Sequence, residues 1–288
     1  MNKIKTMGLI INVYQQRIID LAKQLIAYLE LKEINVVMLT EEGSVLERCG
    51  VTLEQFREMA DLVLVIGGDG TVLRAAQCVY GKETPLIGIK QGYLGFLTAL
   101  EVKELDDNLE RLLQGDYQVE RRMMLSGEVY RDGKLILQAN ALNDLVISRS
   151  SLSRVLGVET YMDGNLVEHY YGDGVIFSTP TGSTGYSLSA GGPIVSPDMD
   201  VCVMTPLCSH LLVNRPIVFG LHHPMMVKFT SEPVSAVLER DGKHALDLQK
   251  DDVIYIKRAE YVTCLVTLKE KNFFAVMREK LRKGNQEG

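Results

Sequence analysis

The segment from Leu62 to Thr71 reads Leu-Val-Leu-Val-Ile-Gly-Gly-Asp-Gly-Thr and is the strongest indication of the fold. Its five leading apolar residues are typical of a fully buried strand. Apolar residues at helical spacing follow from Thr71 to Tyr80, so the glycines lie in a turn between a strand and a helix. Ligands of open α/β sheets bind at this position, outside the carboxyl end of a strand. The segment therefore predicts an α/β sheet with a ligand-binding turn.

The chain on both sides of this turn alternates between strand patterns and helix patterns. It predicts further strands at residues 7–13, 34–39 and 85–89, and helices at residues 18–31 and 102–113. Alternation of this kind predicts a parallel, doubly wound sheet.

The pattern changes after about residue 116 to short β-branched runs of period two, as at residues 127–130 and 253–257. Turn signals separate these runs, at Asp132-Gly133, Asp163-Gly164 and Asp241-Gly242. We therefore predict an α/β N-terminal domain at residues 1–115 and a β-rich C-terminal domain at residues 116–269. A last helix, at about residues 270–284, is expected to pack back on the first domain.

The composition limits the partners of the protein. A net charge of −6 over 288 residues gives no basic stripe of the kind that binds nucleic acid. The N-terminal apolar run is too short for a signal peptide, and no run approaches the ~20 residues of a membrane span. The five cysteines are scattered without a Cys-x-x-Cys pair, so neither disulfides nor a zinc site is indicated. We expect a cytoplasmic protein that binds neither nucleic acid nor a membrane.

Asp69 is the candidate catalytic residue of the glycine turn. Glycines allow backbone N–H groups to approach a phosphate, and the helix that follows contributes its positive N-terminal end. A carboxylate beside phosphates is repulsive, so its presence indicates a metal-binding or proton-transfer role. The alternative is that Asp69 only caps the helix.

A run rich in hydroxyl groups lies between Thr179 and Pro193. Six Ser or Thr residues and two glycines occupy the eleven positions from Thr179 to Ser189. Such density suits a polyhydroxylated, phosphorylated ligand. A flexible linker is the alternative, but the embedded Pro180, Tyr186 and Leu188 argue against it.

The dipeptide Asn143-Asp144 is a second candidate for ligand binding. An amide can read an adenine edge, while a carboxylate accepts hydrogen bonds from the two hydroxyls of a ribose. The same dipeptide more often marks a turn.

These motifs together resemble the NAD kinase family, in order and spacing, over nearly the whole chain. The matching segments are Gly67 to Thr71, Gly92 to Thr98, Asn143-Asp144, Asp173-Gly174 running into Thr179 to Pro193, Asn214 to Val218, and Asp241-Gly242. The first motif is shared with lipid kinases of the diacylglycerol type, whereas the long Thr-Pro-Thr-Gly-Ser-Thr run is far more specific.

The resemblance implies a dinucleotide held between an α/β domain and a β-rich domain. It implies that Asp69 accepts the proton of the ribose 2′-hydroxyl, that Gly70 lies against the ligand, and that Asn143 and Asp144 hold the adenosine portion. The other ligand contacts that it implies are Arg74, Phe96, Arg154, Tyr171, Asp173, Thr181, Thr184, Gly185, Tyr186, Ser187, Leu188, Ser189 and Lys243. For the two arginines, a solvated surface charge is the alternative.

Four positions depart from the family pattern. Lys90 and Gln91 stand where the family usually has Asn followed by an apolar or basic residue. Gly185 replaces Ala, and Lys243 replaces Gln. Because none of these changes involves Asp69, they leave the implied reaction type unchanged.

The implied reaction is transfer of the terminal phosphoryl group of ATP, another nucleotide or polyphosphate to NAD, giving NADP. Mg²⁺ or another divalent metal is expected to bind mainly through the donor phosphates, because the sequence shows no cage of carboxylates. The family also implies a homodimer or homotetramer.

Two other functions stay open at this point. A lipid kinase of the diacylglycerol type would share the glycine turn, and a non-catalytic dinucleotide sensor would share the fold. Asp69 counts against a sensor, because binding alone gains nothing from an acid that faces phosphates.

Overall fold

The chain folds into two compact units in the computed structural model, which describes residues 4–92, 95–150, 155–211, 213–230, 236–268 and 273–284. The first unit comprises Met1–Arg121 together with Thr263–Gly288, and the second comprises Arg122–Val262. The first unit thus resumes at Thr263, before residue 269, where we expected the second domain to end. The difference arises because one more strand of the first sheet follows the β-rich region.

The chain up to Arg122 forms an alternating series of strands and helices. In order these are β1 (Thr6–Ile11), α1 (Gln16–Leu31), β2 (Asn35–Met38), α2 (Thr40–Leu46), α3 (Leu53–Met59), β3 (Leu62–Ile66), α4 (Asp69–Val79), β4 (Leu86–Lys90), β5 (Leu100–Glu101), α5 (Leu105–Leu113) and β6 (Gln118–Arg122).

The rest of the chain is mostly strands. They are β7 (Leu125–Arg131), β8 (Lys134–Ala141), β9 (Asp144–Arg149), β10 (Leu156–Met162), β11 (Asn165–Gly172), β12 (Gly174–Ser178), the short helix α6 (Tyr186–Ser189), β13 (Val201–Leu207), β14 (Ile217–Gly220), β15 (Met225–Phe229), β16 (Ala236–Arg240), β17 (Lys243–Leu248), β18 (Val253–Arg258), β19 (Thr263–Thr267) and the final helix α7 (Phe273–Gly284).

The first unit is built on a seven-stranded sheet of order β2-β1-β3-β4-β19-β6, with β5 paired to β4. Strand β1 pairs in parallel with β2 and with β3, and β4 pairs in parallel with β3, β5 and β19. The strand order reverses direction at β1, since β2 and β3 lie on its opposite sides. The predicted parallel, doubly wound sheet is therefore confirmed, and its switch point lies between β1 and β3.

Burial explains why the central strands of this sheet are apolar throughout. Every residue of β3 from Leu62 to Ile66 is fully buried, as a strand covered on both faces requires. Helix α1 buries one stripe at helical spacing, including Ile18, Ala22, Ile26 and Leu29. These side chains and the strands share one hydrophobic core.

Two short helices, α2 and α3, were not predicted. Helix α3 begins with a capping box, in which the Thr52 hydroxyl accepts from the Gln55 backbone N–H and the Gln55 side chain accepts in return. Helix α2 contains Gly43 and Ser44, which are poor helix formers, and it ends at Glu47 in the left-handed conformation. Helices of this length have too few apolar positions to give a clear periodic signal.

The second unit contains two six-stranded antiparallel sheets, of order β11-β10-β15-β18-β7-β8 and β14-β13-β12-β9-β16-β17. One cluster of buried side chains includes residues from both sheets, so the sheets pack face to face. The predicted β-rich domain is confirmed. The three Asp-Gly turns join β7 to β8, β10 to β11 and β16 to β17, with positive φ at both residues, as type I′ turns require.

The second of these sheets is buried on its outer face as well. Val175 and Phe177 of β12 point into the main core, whereas Ile176 packs with Val146 and Leu207 in a small separate cluster. Ala190 packs against that cluster, so the hydroxyl-rich segment after β12 covers the outside of the sheet. No helix within the described residues is long and apolar enough to cross a membrane.

Candidate active site

The glycine turn lies at the switch point of the first sheet. The Asn12 backbone N–H donates to the Ile66 carbonyl at 2.9 Å, and the Gly67 N–H donates to the Ile89 carbonyl at 2.9 Å, which fixes the turn between its neighbouring strands. A Cβ on Gly67 would lie 2.8 Å from Cβ of Thr71, so this position needs glycine. Gly68 and Gly70 instead face open space, which leaves room for a ligand beside their backbone.

Asp69 is the first residue of α4, and its carboxylate turns away from its own helix. Oδ2 accepts from the backbone N–H of Phe96 at 3.1 Å, and Oδ1 accepts from that of Leu97 at 3.2 Å. The structure does not show the capping alternative. Gly68 occupies the cap position of α4, and the Asp69 carboxylate bonds to the amides of Phe96 and Leu97 instead. The Asp69 side chain is 31% exposed, so a substrate can reach it.

Gly95 and Thr98 hold the next loop against Asp69. A Cβ on Gly95 would lie 2.6 Å from Cγ of Asp69, and the Gly95 N–H donates to Oγ1 of Thr98 at 2.6 Å. The family resemblance marked residues 92–98 as a motif and Phe96 as a ligand contact, but it did not indicate this role of the second glycine. Tyr93 and Leu94, from the same motif, lie outside the described residues.

Lys280, on the C-terminal helix α7, approaches the same carboxylate. Its Nζ lies 3.8 Å from Oδ2 of Asp69 and 4.4 Å from the centre of the Phe96 ring. Partial burial lowers the pKa of Lys280 from its ordinary value, Asp69 acts in the opposite direction, and Lys90 adds to the lowering. Nothing in the sequence pattern indicated Lys280, because the turn and this helix are far apart along the chain.

Arg74 forms a structural ion pair rather than a solvated surface charge. Its guanidinium pairs with Glu42, which is fully buried, and donates to the Ile11 carbonyl at 2.8 Å. A second, more exposed partner is Glu41 at 3.2 Å. A ligand contact from Arg74 therefore stays a prediction, and any such contact would compete with these bonds.

In the second unit, one carboxylate fixes the Asn143-Asp144 segment. Asp241 of the last Asp-Gly turn accepts from the backbone N–H groups of Leu142, Asn143 and Asp144, at 3.1, 2.7 and 3.2 Å. The segment also packs tightly on Gly182, where a Cβ would lie 2.6 Å from Cα of Asn143. The sequence indicated Asp241-Gly242 as a turn but not its bonds to these amides.

Burial affects the hydrogen bonding of Asn143 and the protonation of Asp144. Oδ1 of Asn143 is buried without a hydrogen-bond partner. Asp144 is 4% exposed, and its burial, together with the nearby Asp241 and Glu239 carboxylates, raises its pKa to about 7. Such groups favour a ligand that supplies hydrogen-bond donors, as a ribose diol does.

The hydroxyl-rich run uses much of its hydrogen-bonding capacity within the protein. Thr179 Oγ1 donates to the Leu142 carbonyl at 2.6 Å, Ser183 Oγ donates to the Pro180 carbonyl at 2.6 Å, and the Ser187 hydroxyl pairs with that of Thr205 at 2.9 Å. These three side chains are fully buried. The run therefore packs over β12 and β9, and these three hydroxyls bond within the protein.

The candidates of this run divide by exposure. Thr181 and Ser187 are buried, whereas partial or full exposure leaves a surface for contact at Thr184, Gly185, Tyr186, Leu188 and Ser189. Thr184 Oγ1 donates to the Thr181 carbonyl at 3.1 Å. Ligand contacts of all these residues stay predictions.

Tyr186 of the hydroxyl-rich run lies near the carboxylates around Asp144. Its pKa is raised by burial, and then by the charges of Glu239, Cys208, Asp173 and Asp144. Tyr186 thus lies within electrostatic reach of Asp144 and Asp173, and a ligand shared by the three stays a prediction. Glu239 was not among the predicted residues, and its place beside Asp144 depends on the pairing of β16 with β9.

The remaining candidates lie at the edges of this region or outside the described residues. Asp173 forms an ion pair with Arg149 at 2.7 Å. The ring of Tyr171 lies 5.1 Å from that of His169, and its side chain is 38% exposed. Lys243 is an exposed residue that pairs with Arg240 across the β16–β17 hairpin, and Arg154 lies outside the described residues.

The described residues form no preformed metal-binding site of several side chains. Among the parts of the chain that the structure describes, no three His, Cys, Asp or Glu side chains converge as a metal site requires. Asp69 belongs to the glycine turn itself, and its side chain is partly exposed. A metal that enters with donor phosphates needs only one or two such carboxylates and keeps its waters.

The fold and these residues together define a class of protein. An open α/β sheet with a glycine turn and a held carboxylate at its switch point is typical of enzymes that act on phosphorylated nucleotides. Comparison with known protein families identifies the class further. Residues 7–117 match the family described as the ATP-NAD kinase N-terminal domain, and residues 142–268 match the ATP-NAD kinase C-terminal domain.

Relatives of similar length support the same assignment. The chain is 39% identical to the NAD kinase of Natranaerobius thermophilus over 286 residues, covering 98% of this chain and 100% of the relative. It is 40% identical to the NAD kinase of Moorella thermoacetica over 283 residues, covering 98% and 90% of the two chains. The chain belongs to the NAD kinase family.

Solved structures show the same fold at lower sequence identity. The crystal structure of yeast NADH kinase complexed with NADH matches with a TM-score of 0.90 and 24% identity, covering 98% of this chain and 88% of that one. An NAD kinase from Archaeoglobus fulgidus in complex with ATP matches with a TM-score of 0.76 and 24% identity, covering 96% and 98%. At this identity the likeness establishes the fold.

Proposed function

We propose that this chain transfers the terminal phosphoryl group of ATP, or of another nucleotide or polyphosphate, to the 2′-hydroxyl of the adenosine ribose of NAD. Identity of about 39% to proteins named NAD kinase, over nearly the full length, supports phosphorylation of NAD as the reaction. The single structural observation behind the mechanism is Asp69, an accessible carboxylate held by two backbone amides beside an open glycine turn.

In this mechanism Asp69 is the proton acceptor. As the ribose oxygen forms its bond to the terminal phosphorus, the bond from that phosphorus to the bridging oxygen breaks and the shortened donor leaves. The hydroxyl proton passes to the Asp69 carboxylate late in this step, because phosphoryl transfer has a loose transition state. The amides of Phe96 and Leu97 fix the direction of the carboxylate, which favours in-line geometry.

The residues of the second unit are proposed to bind the acceptor. Asp144 accepts hydrogen bonds from ribose hydroxyls, and Asn143 supplies an amide whose oxygen already lacks a partner. Tyr186, exposed beside the same carboxylates, offers an aromatic face for the dinucleotide. Tyr186 belongs to the run from Thr179 to Ser189, whose hydroxyls bond in part within the protein.

We also propose that Mg²⁺ enters bound to the donor phosphates. Bound there, the metal would neutralise charge on the oxygens of the transferred group. Donor phosphates and water would supply most of its ligands, which leaves the Asp69 carboxylate available for the proton. This proposal does not require the converging carboxylates of a dedicated metal site.

Cytoplasmic location and assembly into a homodimer or homotetramer are further parts of the proposal. All five cysteines are free, as is usual in a reducing compartment. Both edges of one sheet expose apolar residues, Leu135 and Ile136 on β8 and Leu166 on β11, which suits burial between subunits. A fully active monomer in light scattering at micromolar concentration would contradict the assembly.

Formation of NADP distinguishes the proposed function from two alternatives. A lipid kinase of the diacylglycerol type needs a lipid acceptor, and a dinucleotide sensor needs no turnover. Asp69→Asn preserves shape and removes basicity, so single-turnover formation of NADP should fall by about 10²–10⁴-fold. NAD affinity, measured by calorimetry, should change much less. Near-normal turnover in this variant would refute the role of Asp69, and absence of NADP formation in the unaltered protein would refute the function.

A further inference from the structure

Lys280 brings a positive charge to the carboxylate that the mechanism uses. Its Nζ lies 3.8 Å from Oδ2 of Asp69, which is the distance of an ion pair rather than of a hydrogen bond. Both side chains are about one-third exposed, so water screens the attraction only in part. The lysine comes from α7, whereas Asp69 begins α4.

Phe96 contacts both charged groups. Its backbone N–H donates to the Asp69 carboxylate at 3.1 Å, and the face of its ring lies 4.4 Å from the Lys280 ammonium group. A cation over an aromatic ring is attracted by the ring quadrupole. Phe273, at the start of α7, packs 6.3 Å from the Phe96 ring, so the helix that carries the lysine is fixed against the same residue.

The charges around the ammonium group are mixed. Asp69 faces it from α4, Lys90 acts on it from the end of β4, and Glu279 acts from its own helix. Burial makes the charged form of Lys280 less favourable, and Asp69 opposes that effect. A partly desolvated ammonium group in this position is stabilised chiefly by the carboxylate that it faces.

We propose that Lys280 is a positioning residue, whose ammonium group holds the Asp69 carboxylate in the orientation that receives the ribose proton. The inference rests on the proposed function, because it assigns Asp69 the role of proton acceptor. The two amides restrain one side of the carboxylate, and Lys280 restrains it from α7. The C-terminal helix therefore contributes to the reaction as well as to the fold of the first unit.

Removal of the charge tests this role. Lys280→Met keeps the length of the side chain, and we expect it to slow single-turnover NADP formation by about 3- to 10-fold, as loss of a partly exposed ion pair does. NAD affinity and the KM for ATP should stay within about two-fold, because the residue acts on Asp69. Lys280→Arg should restore most of the rate. Arg278→Met, an exposed charge loss on the same helix, is the matched control and should leave the rate unchanged.

A double-mutant cycle separates positioning from a merely structural role. If Lys280 acts through Asp69, then Lys280→Met should cost little in a protein that already carries Asp69→Asn. Equal losses in both backgrounds would overturn the inference, and so would normal turnover in Lys280→Met. Thermal unfolding of each variant is compared as well, with Lys280→Gln as a second variant if Lys280→Met does not fold. Failure of the unaltered protein to form NADP would instead refute the proposed function.

Discussion

Gly95 lies so close to Asp69 that no larger residue fits between the two loops. A Cβ at position 95 would stand 2.6 Å from Cγ of Asp69 and 2.8 Å from its Oδ2. The position needs glycine for space, because the obstacle is the carboxylate itself. Gly95 thereby determines how close the loop after β4 comes to the loop after β3.

Gly95→Ala is expected to displace the Asp69 carboxylate and break its bonds to the Phe96 and Leu97 amides. Turnover should fall at least ten-fold, since small displacements of a reacting group are costly. NAD affinity should change little, because Asn143 and Asp144 are unaffected. Steady-state kinetics and calorimetry check these expectations. An active enzyme with a normal rate would show that the carboxylate tolerates the displacement.

Proton release should accompany NAD binding at neutral pH. Burial and the Asp241 and Glu239 carboxylates raise the pKa of Asp144 to about 7, so roughly half of the free protein carries this proton at pH 7. Ribose hydroxyls donate to the ionised form, and binding should therefore release about half a proton. Calorimetry in buffers of different ionisation enthalpy measures this number. Asp144→Asn should abolish the release, and an unchanged release would assign the proton to another group.

The same carboxylate should destabilise the free protein above neutral pH. Because the folded-state pKa of Asp144 exceeds its ordinary value of 3.8, the folded protein holds a proton between about pH 4 and 7 that the unfolded chain has lost. The free energy of unfolding thus falls as the pH rises through this window, and the full penalty applies above it. Asp144→Asn removes the penalty.

We expect Asp144→Asn to raise the free energy of unfolding by about 3–4 kcal/mol at pH 8, and by little near pH 4. Urea unfolding at both pH values checks the difference. Asp132→Asn, at an exposed position in another Asp-Gly turn, is the matched control and should change stability little at either pH. A gain that is the same at both pH values would refute the electrostatic explanation.

Arg74 should be required for stability through its partner Glu42. Arg74→Met leaves the buried carboxylate of Glu42 without its guanidinium and should cost about 2–4 kcal/mol of unfolding free energy. The double variant Arg74→Met with Glu42→Gln should recover much of that loss. Arg48→Met, which removes an exposed pair with Glu30, should cost under about 1 kcal/mol.

The activity of the double variant then tests the predicted ligand contact of Arg74. Near-normal kinetics with recovered stability would show that Arg74 is structural. A raised KM for one substrate would show that it also binds that substrate. An Arg74→Met protein as stable as the unaltered one would contradict the structural role itself.

Local patterns in the sequence predicted the elements whose signal lies within a few residues. Strand β3 was predicted with its observed bounds because five consecutive apolar residues end at two glycines. The three Asp-Gly turns were predicted because few other dipeptides adopt positive φ at both positions. Helices α2 and α3 were missed because each is short and packs through few apolar residues.

Relationships between distant residues could not be predicted from patterns of this kind. Lys280 and Asp69 are separated by most of the chain, and no periodicity connects them. Asp241 had a clear turn signal, but its bonds to the amides of residues 142–144 depend on strand pairing across the sheet. The pairing of the Ser187 hydroxyl with that of Thr205 likewise depends on packing over β12, and the expected ligand contact of Ser187 stays a prediction.

The position of β19 has a consequence for synthesis on the ribosome. In the sheet order this strand lies between β4 and β6, although it is translated after the entire second unit. A nascent chain that has emerged only to Arg122 therefore lacks an internal strand of its first sheet. The second unit, which is continuous in sequence, can finish folding before Thr263–Thr267 leaves the exit tunnel. The unit translated first is thus the last to be completed, and Asp69 gains its full surroundings only when the C-terminus is made.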